Sequence, residues 1–287
     1  VNLIPPTLSR RFSRAPSRLR FAGAVQLRAV FLTGSFLLLG SAALAQQPFF
    51  TDDADVTDKK KFSLQISNEF DILQRHEYPT LRQNTSVFEL NYGLLNRVEI
   101  GIDGPLIVLS NSRIITPRAP FGLGDLDFHL KYNFLKEREG SWRPAMSGSF
   151  SMELPTGDEE RGLGSGFKDY SINGVLQKSV NKKTTLRLNG GILFAGSTAT
   201  GDVGIKTRGR AFVGGASVIR EINAKWDLGA EVSGAVTSSL KLSHGQVQTL
   251  VGGNCHVTPK MSFDFGIVAG KFNSPRAGLL VGISVDF

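Results

Sequence analysis

From residue 62 onward the chain alternates apolar and polar residues with a period of two. Phe62, Leu64, Ile66, Phe70 and Ile72 are separated by Ser63, Gln65, Ser67, Glu69 and Asp71; Leu126, Phe128, Leu130, Tyr132 and Phe134 are separated by Asp127, His129, Lys131 and Asn133. Successive side chains of a β-strand point to opposite faces, so this pattern describes strands whose two faces meet different solvents. It recurs in twelve segments, roughly 61–72, 85–94, 97–107, 123–135, 143–154, 168–180, 184–195, 209–221, 224–237, 245–257, 260–270 and 275–287. No run beyond residue 45 approaches the roughly 20 apolar residues that a membrane-spanning helix needs.

The connections test this count independently. Tight ones fall at Leu95-Asn96, Asn181-Lys182-Lys183, Asn223 and Thr258-Pro259, with a somewhat longer one at 136–142; long ones fall at 74–84, 107–122, 155–167, 196–208 and 237–244. Long and short connections therefore alternate and occupy opposite ends of the strands. An even strand number, both ends of the sheet on the short-turn side and long loops opposite are the organisation of an outer-membrane β-barrel, in which closure satisfies every backbone group without an edge. The expected fold is all-β: a 12-stranded antiparallel transmembrane barrel over 61–287. A soluble β-sandwich shows the same alternation, with its apolar face turned inward, and is the alternative.

Charge supports the barrel once it is located. The chain has 33 Lys+Arg against 25 Asp+Glu, a formal +8. Six of the basic residues (Arg10, Arg11, Arg14, Arg18, Arg20 and Arg28) lie in residues 1–45, which contain no acid, so the remainder holds 27 basic against 25 acidic residues. Residues 1–45 read as an export signal: a basic segment, an apolar stretch from Ala29 to Gly40, and small residues Ala43 and Ala45 before a cut. Its length and its first residue, Val1, point to a translation start further in; Gln46 after the cut, rather than Cys, argues against a lipoprotein. The basic excess is thus an address, and no nucleic-acid partner is expected. One cysteine among 287 residues excludes a disulfide framework. Residues 46–60 precede the first strand as a periplasmic or plug segment.

In a barrel, one parity faces lipid and the other the lumen. Trp226, Leu228, Ala230 and Val232, with Leu186, Leu188 and Ile192 and with Met261, Phe263, Phe265 and Ile267, fall on the lipid parity. The opposite parity carries Glu69, Asp71, Glu89, Glu99, Asp103, Asp127, Glu153, Asp169, Asp227, Glu231, Asp264 and Asp286 against Arg97, Lys131 and Arg187, with His129 among them. A charge at the lipid midplane costs about 2–4 kcal/mol, so this partition supports the assignment. The acid-rich lumen has two readings: charges that pair and hydrate to fill a narrow interior, or a pore whose carboxylates favour cations. The long loops carry Arg75, Arg82, Arg113, Arg118, Arg161, Lys206, Arg208, Lys241 and Lys271, which suit the phosphates of outer-membrane lipopolysaccharide if they face outward.

No catalytic residue, metal ligand set or cofactor site is expected. His129 and His256 fall on lumen parity and His76 and His244 in loops, whereas a lipase-like site needs a histidine beside an activated serine facing the lipid. Gly162-x-Gly164-x-Gly166 lacks the Lys-Ser/Thr and the strand–helix setting of a phosphate loop. The final run Val281, Ile283, Val285, Phe287 resembles the C-terminal aromatic signature that the barrel-assembly machinery reads, making that machinery an expected partner.

Four further motifs occur in order: Phe50-Thr51-Asp52-Asp53, Gly122-Leu123-Gly124-Asp125, Leu154-Pro155-Thr156-Gly157-Asp158, and Gly164-Ser165-Gly166 before Asp169-Tyr170-Ser171. With them the chain resembles the MetA-pathway of phenol degradation family over essentially all of 46–287. The resemblance implies an exported twelve-stranded outer-membrane barrel that transports a small solute, with a link to aromatic or other hydrophobic compounds. Physically the motifs read as architecture: Gly122 and Gly124 permit a tight approach to the strand, Pro155 ends pairing, and Gly157 opens the loop that follows. Asp52 and Asp53 lack the glycine and distal glutamate of a calcium loop and are expected to anchor the segment at the barrel mouth or inside it.

Overall fold

The first strand of the sheet is hydrogen-bonded to the last. Ser63 stands opposite Asp286 and Ile72 opposite Ala277, while the other edge of the same strand pairs with the second. The sheet therefore closes on itself. The structure is a computed structural model and describes residues 48–75, 80–111, 119–138, 140–194, 209–237 and 245–287. Its strands are β1 (Phe62–Ile72), β2 (Thr80–Leu95), β3 (Val98–Asn111), β4 (Phe121–Leu123), β5 (Leu126–Leu135), β6 (Ala145–Leu154), β7 (Asp169–Asn181), β8 (Thr184–Phe194), β9 (Arg210–Asn223), β10 (Trp226–Thr237), β11 (Gln246–Thr258), β12 (Met261–Phe272) and β13 (Ala277–Asp286).

β4 and β5 are one stave. Both pair with β3, at Ile107↔Gly122 and at Asp103↔Asp127, and only Gly124 and Asp125 separate them. All neighbours are antiparallel, so the result is a closed barrel of twelve staves. The stave breaks because a Cβ on Gly124 would lie 2.7 Å from Pro105 and 2.8 Å from Ile107, and because the Asp125 carboxylate turns to the backbone of a loop.

The partition of residues is the inverse of a soluble sandwich. Gln65, Gln83, Asn91, Glu99, Lys131, Asn133, Arg187, Glu231 and Asp264 are buried, whereas Phe88, Leu188, Val232, Val251, Ile267 and Leu279 are exposed. Buried apolar residues form only small clusters among the described residues, such as Phe49, Leu250 and Val268. A sandwich in water buries its apolar face; a barrel in lipid exposes it. The lipid-parity residues Trp226, Leu228, Leu186 and Phe263 are all exposed, as expected.

Two expectations are corrected. β2 begins at Thr80 rather than near 85, because Thr80, Arg82 and Asn84 put polar residues on the parity that Phe88 and Leu90 share and hide the alternation; Asn84 and Asn68 bond across the strands at 2.9–3.0 Å. Arg97 does not face the lumen: it lies exposed in the turn between β2 and β3 and donates to the Phe134 carbonyl near the end of β5 at 3.3 Å. His76, His244, Arg113, Arg118, Lys206, Arg208 and Lys241 lie outside the described residues.

Candidate functional site in the barrel lumen

The inward parity of β3 to β10 surrounds the segment that precedes β1. Lys59 forms an isolated bridge with Gly93, and Lys60 N donates to Gly93 O at 2.7 Å. A Cβ on Gly93 would collide with the Asp58 carbonyl, so only glycine lets the segment pass here. From this point back to Pro48 the chain runs inside the barrel, where Thr51, Asp53 and Ala54 are each at most 1% exposed.

Lumen side chains take up its backbone residue by residue. Thr57 N donates to Glu99 Oε2 (2.6 Å), Ala54 N to Gln177 Oε1 (3.3 Å) and Thr51 N to Glu231 Oε2 (2.7 Å). Asn133 Nδ2 donates to Ala54 O (2.6 Å), and the Asn189 amide, oriented with its oxygen toward Asp52 N, pairs both backbone groups of Asp52 at 2.8 and 3.2 Å. The Thr51 hydroxyl reaches Ser217 Oγ and Glu231 Oε2, both at 2.7 Å.

The acidic motif meets the two lumen cations. Lys131 Nζ lies 2.8 Å from Asp52 and 3.2 Å from Asp53, and Arg187 NH2 lies 3.7 Å from the other oxygen of Asp53. A lysine ammonium thus occupies the place that a metal ion would take in an acidic loop. Lys131, Asp53 and Arg187 are almost fully buried, where an unpaired charge costs several kcal/mol and pairing with good hydrogen bonds offsets it.

Beyond the segment lies a cavity of about 480 Å³, bounded by Phe50, Thr51 and Asp52 on one side. One wall is a row of carboxylates in direct cross-strand register on consecutive staves: Glu89↔Asp103, Asp103↔Asp127, Asp127↔Glu153 and Glu153↔Asp169. The opposite wall is neutral, formed by Leu193, Val213, Gly215, Ser233, Gln246 and Gln248. His129 sits at the row with Nε2 2.9 Å from Asn91 Oδ1 and Nδ1 3.9 Å from Asp103. Gly101, between Asn91 and His129 in register, makes room for the ring, which a Cβ there would overlap. Asp103, Asp127 and His129 offer three ligand atoms within 4.8 Å of one another, a partial shell for a cation. The other described histidine, His256, pairs with Asp227 at 2.8 Å; neither histidine is bonded to a serine hydroxyl.

The remaining lumen residues form a separate group under β1, β11, β12 and β13. Asp264 accepts from Asn254 (2.7 Å), Ser262 (2.9 Å) and Ser284 (2.7 Å). Asp71 is buried beside Glu69 against Gly278, whose missing Cβ leaves room for the carboxyl.

The glycine-rich motifs converge at the long-loop end. Asp125 Oδ1 accepts from Gly157 N (2.9 Å) and Oδ2 from Ser165 N (2.5 Å), while Thr156 Oγ1 accepts from Leu126 N and donates to Gly124 O, both at 3.0 Å. Asp158 caps a short 3-10 turn, Glu159–Arg161, that ends at Gly162 in left-handed backbone, φ 72°. These bonds fold the loop inward, so that Leu163, 2% exposed, packs on Ile107 and Leu109 and lies 2.9 Å from the Cβ position of Gly122. Ser165 Oγ reaches Glu153 of the carboxylate row at 3.4 Å, and Pro155 is exposed where pairing stops.

Comparison with known proteins agrees with this architecture. The family model described as "Putative MetA-pathway of phenol degradation" matches residues 48–287. An outer membrane channel from Pseudomonas putida F1 superposes with a TM-score of 0.57 at 14% identity, covering 84% of this chain and 99% of that one. The NanC porin superposes with a TM-score of 0.52 at 9% identity, covering 78% and 98%. At these identities the likeness is one of fold. No match was found among the curated proteins.

Proposed function

Because the chain belongs to the family of the MetA pathway of phenol degradation, we propose that it is an outer-membrane channel for small solutes, and that its lumen prefers cations. The observation that carries this reading is the row of five carboxylates, Glu89, Asp103, Asp127, Glu153 and Asp169, along one wall of the lumen cavity. Like charges placed directly opposite one another cost stability, so filling the interior is a poor reason to put five there. A ring of carboxylates instead raises the local concentration of cations and lowers that of anions. The neutral wall across the cavity suits the uncharged body of a small organic solute. The family's link to phenol then extends to aromatic compounds in neutral or amine form, and not to aromatic acids.

In this reading the protein is not an enzyme. It reaches the outer membrane through the export signal at 1–45, is assembled by the machinery that reads Phe287, and turns its basic long loops toward lipopolysaccharide. The test is the reversal potential of the purified protein in a planar bilayer under a KCl gradient, paired with liposome swelling in an aromatic amine and an aromatic acid of equal size. Cation selectivity that falls in Asp127→Asn, with faster entry of the amine, is expected. Anion selectivity, or a lumen indifferent to Asp127→Asn, sinks the proposal.

A further inference from the structure

Five polar side chains at the short-turn half of the lumen do not face open water. They bind a peptide. Glu99, Asn133, Gln177, Asn189 and Glu231, from five different staves, each bond a backbone N–H or C=O of residues 51–57. Lys131 and Arg187 provide for Asp52 and Asp53 of the same segment. This is a receptor for an extended acidic peptide, and its occupant is part of the chain itself.

The occupant is held in a way that permits departure. Only one isolated bridge, Lys59↔Gly93, joins it to the wall by backbone pairing among the described residues; everything further in is held by side chains, so no ladder breaks when it leaves. The seat is also imperfectly filled. Glu231 Oε1, Asp53 Oδ2 and Arg187 Nε and Nη1 are buried without a hydrogen-bond partner, and such groups gain hydrogen bonds when water reaches them. A hinge stands at the mouth: Lys61 N closes a turn on Asp58 O at 3.0 Å, Lys60 takes left-handed backbone at φ 64°, and residues 59–61 are exposed.

From these observations we propose that residues 48–58 are a displaceable plug, and that the short-turn half of the lumen is its binding site, passable to solute only when the plug swings out about residues 58–61. The inference rests on the channel reading above and on the expected cut after Ala45, which leaves the segment a free end.

The Thr51 and Ser217 hydroxyls are 2.7 Å apart, which makes a lock possible in the full-length protein. In a Cys255→Ala background, Thr51→Cys with Ser217→Cys is purified as the heat-modifiable folded barrel, oxidised, and the cross-link is verified by mass. The oxidised form is expected to show at least a tenfold lower open-state conductance in a planar bilayer than the same protein after reduction. Thr51→Cys alone is expected to react with an aqueous maleimide while folded, at least tenfold faster when Lys131→Met is added. Equal, non-zero conductance in both redox states overturns the plug and leaves the channel reading intact. Silence in both states, with Lys131→Met also silent, overturns both. A Thr51→Cys variant that stays unlabelled with and without Lys131→Met also overturns the plug.

Discussion

Asp103 of β3 and Asp127 of β5 stand directly opposite one another in the ladder, with His129 Nδ1 3.9 Å from the Asp103 carboxylate. Replacing one of them separates the two explanations of an acidic interior. Asp103→Asn removes a like-charge pair on each side, Glu89↔Asp103 and Asp103↔Asp127. Each such pair is worth roughly 0.2–1 kcal/mol, so the variant should resist urea unfolding slightly better than the parent. The same variant should lose cation preference in reversal-potential measurements. A gain in stability together with a loss of selectivity identifies a row kept for permeation; a loss of stability identifies charges kept for packing.

Lys131 serves Asp52 and Asp53 at once. Removing one partner of a buried ion pair costs about 3–5 kcal/mol when the other cannot escape. Here the acids belong to a segment that can move, so Lys131→Met should cost the barrel less than that and appear instead as exposure of residues 48–58. Phe49 is 5% exposed in the seated segment. Chymotryptic cleavage after Phe49 or Phe50 in the folded protein should therefore accelerate several-fold, with little change in the heat-modifiable shift of the barrel.

Asp125 holds the inward loop by accepting from Gly157 N and Ser165 N. Hydrogen bonds to a charged acceptor are worth about 1.5–3 kcal/mol each, so the two together outweigh the roughly 1.5–3 kcal/mol that burying one leucine supplies. Asp125→Ala should free the loop and bring Leu163 to the surface. Chymotrypsin added to intact cells should then cut after Leu163, which also reports on which side of the membrane the long loops stand. Protection of Leu163 in the variant would show that the loop is held by something else.

Phe287 meets Phe62 with ring centroids 5.8 Å apart, and the two backbones exchange hydrogen bonds at 2.9 Å in both directions. The ring contact alone is worth roughly 0.5–1.5 kcal/mol. If the assembly machinery reads Phe287, as proposed above, Phe287→Ala should refold in detergent nearly as well as the parent but accumulate several-fold less as folded barrel in cells. Equal losses in both settings would reduce Phe287 to a structural role.

The period of two made the staves legible. Eleven of the twelve expected segments agree with the observed strands to within four residues at either end, as in 184–195 against Thr184–Phe194 and 245–257 against Gln246–Thr258. The twelfth, expected at 85–94, begins five residues early because Thr80, Arg82 and Asn84 are polar where the parity of Phe88 and Leu90 would call for apolar residues. The break at Gly124 and Asp125 shows in the sequence only as a change of parity, with apolar residues at 121 and 123 before it and at 126, 128 and 130 after it; the distant bonds to Gly157 and Ser165 that hold it leave no local pattern. In the lumen, parity placed Glu99, Lys131, Arg187 and Glu231 inward, but could not tell a side chain that meets water from one that meets peptide. Gln177, Asn133 and Ser217 look like any solvated lumen residue until residue 51 or 54 is found against them. The available hint was in the charges: three basic residues, Arg97, Lys131 and Arg187, on the inward parity, and four acids, Asp52, Asp53, Asp55 and Asp58, in the unpatterned segment before β1.

The ladder between β1 and β13 joins the beginning of the barrel to its end. A barrel lacking only β13 would hold eleven staves with two bare edges, each a row of unpaired backbone groups inviting another chain. Closure therefore depends on β13, and a copy without that strand cannot seal. One strand thus decides whether the staves make a sealed wall or an open, adhesive sheet.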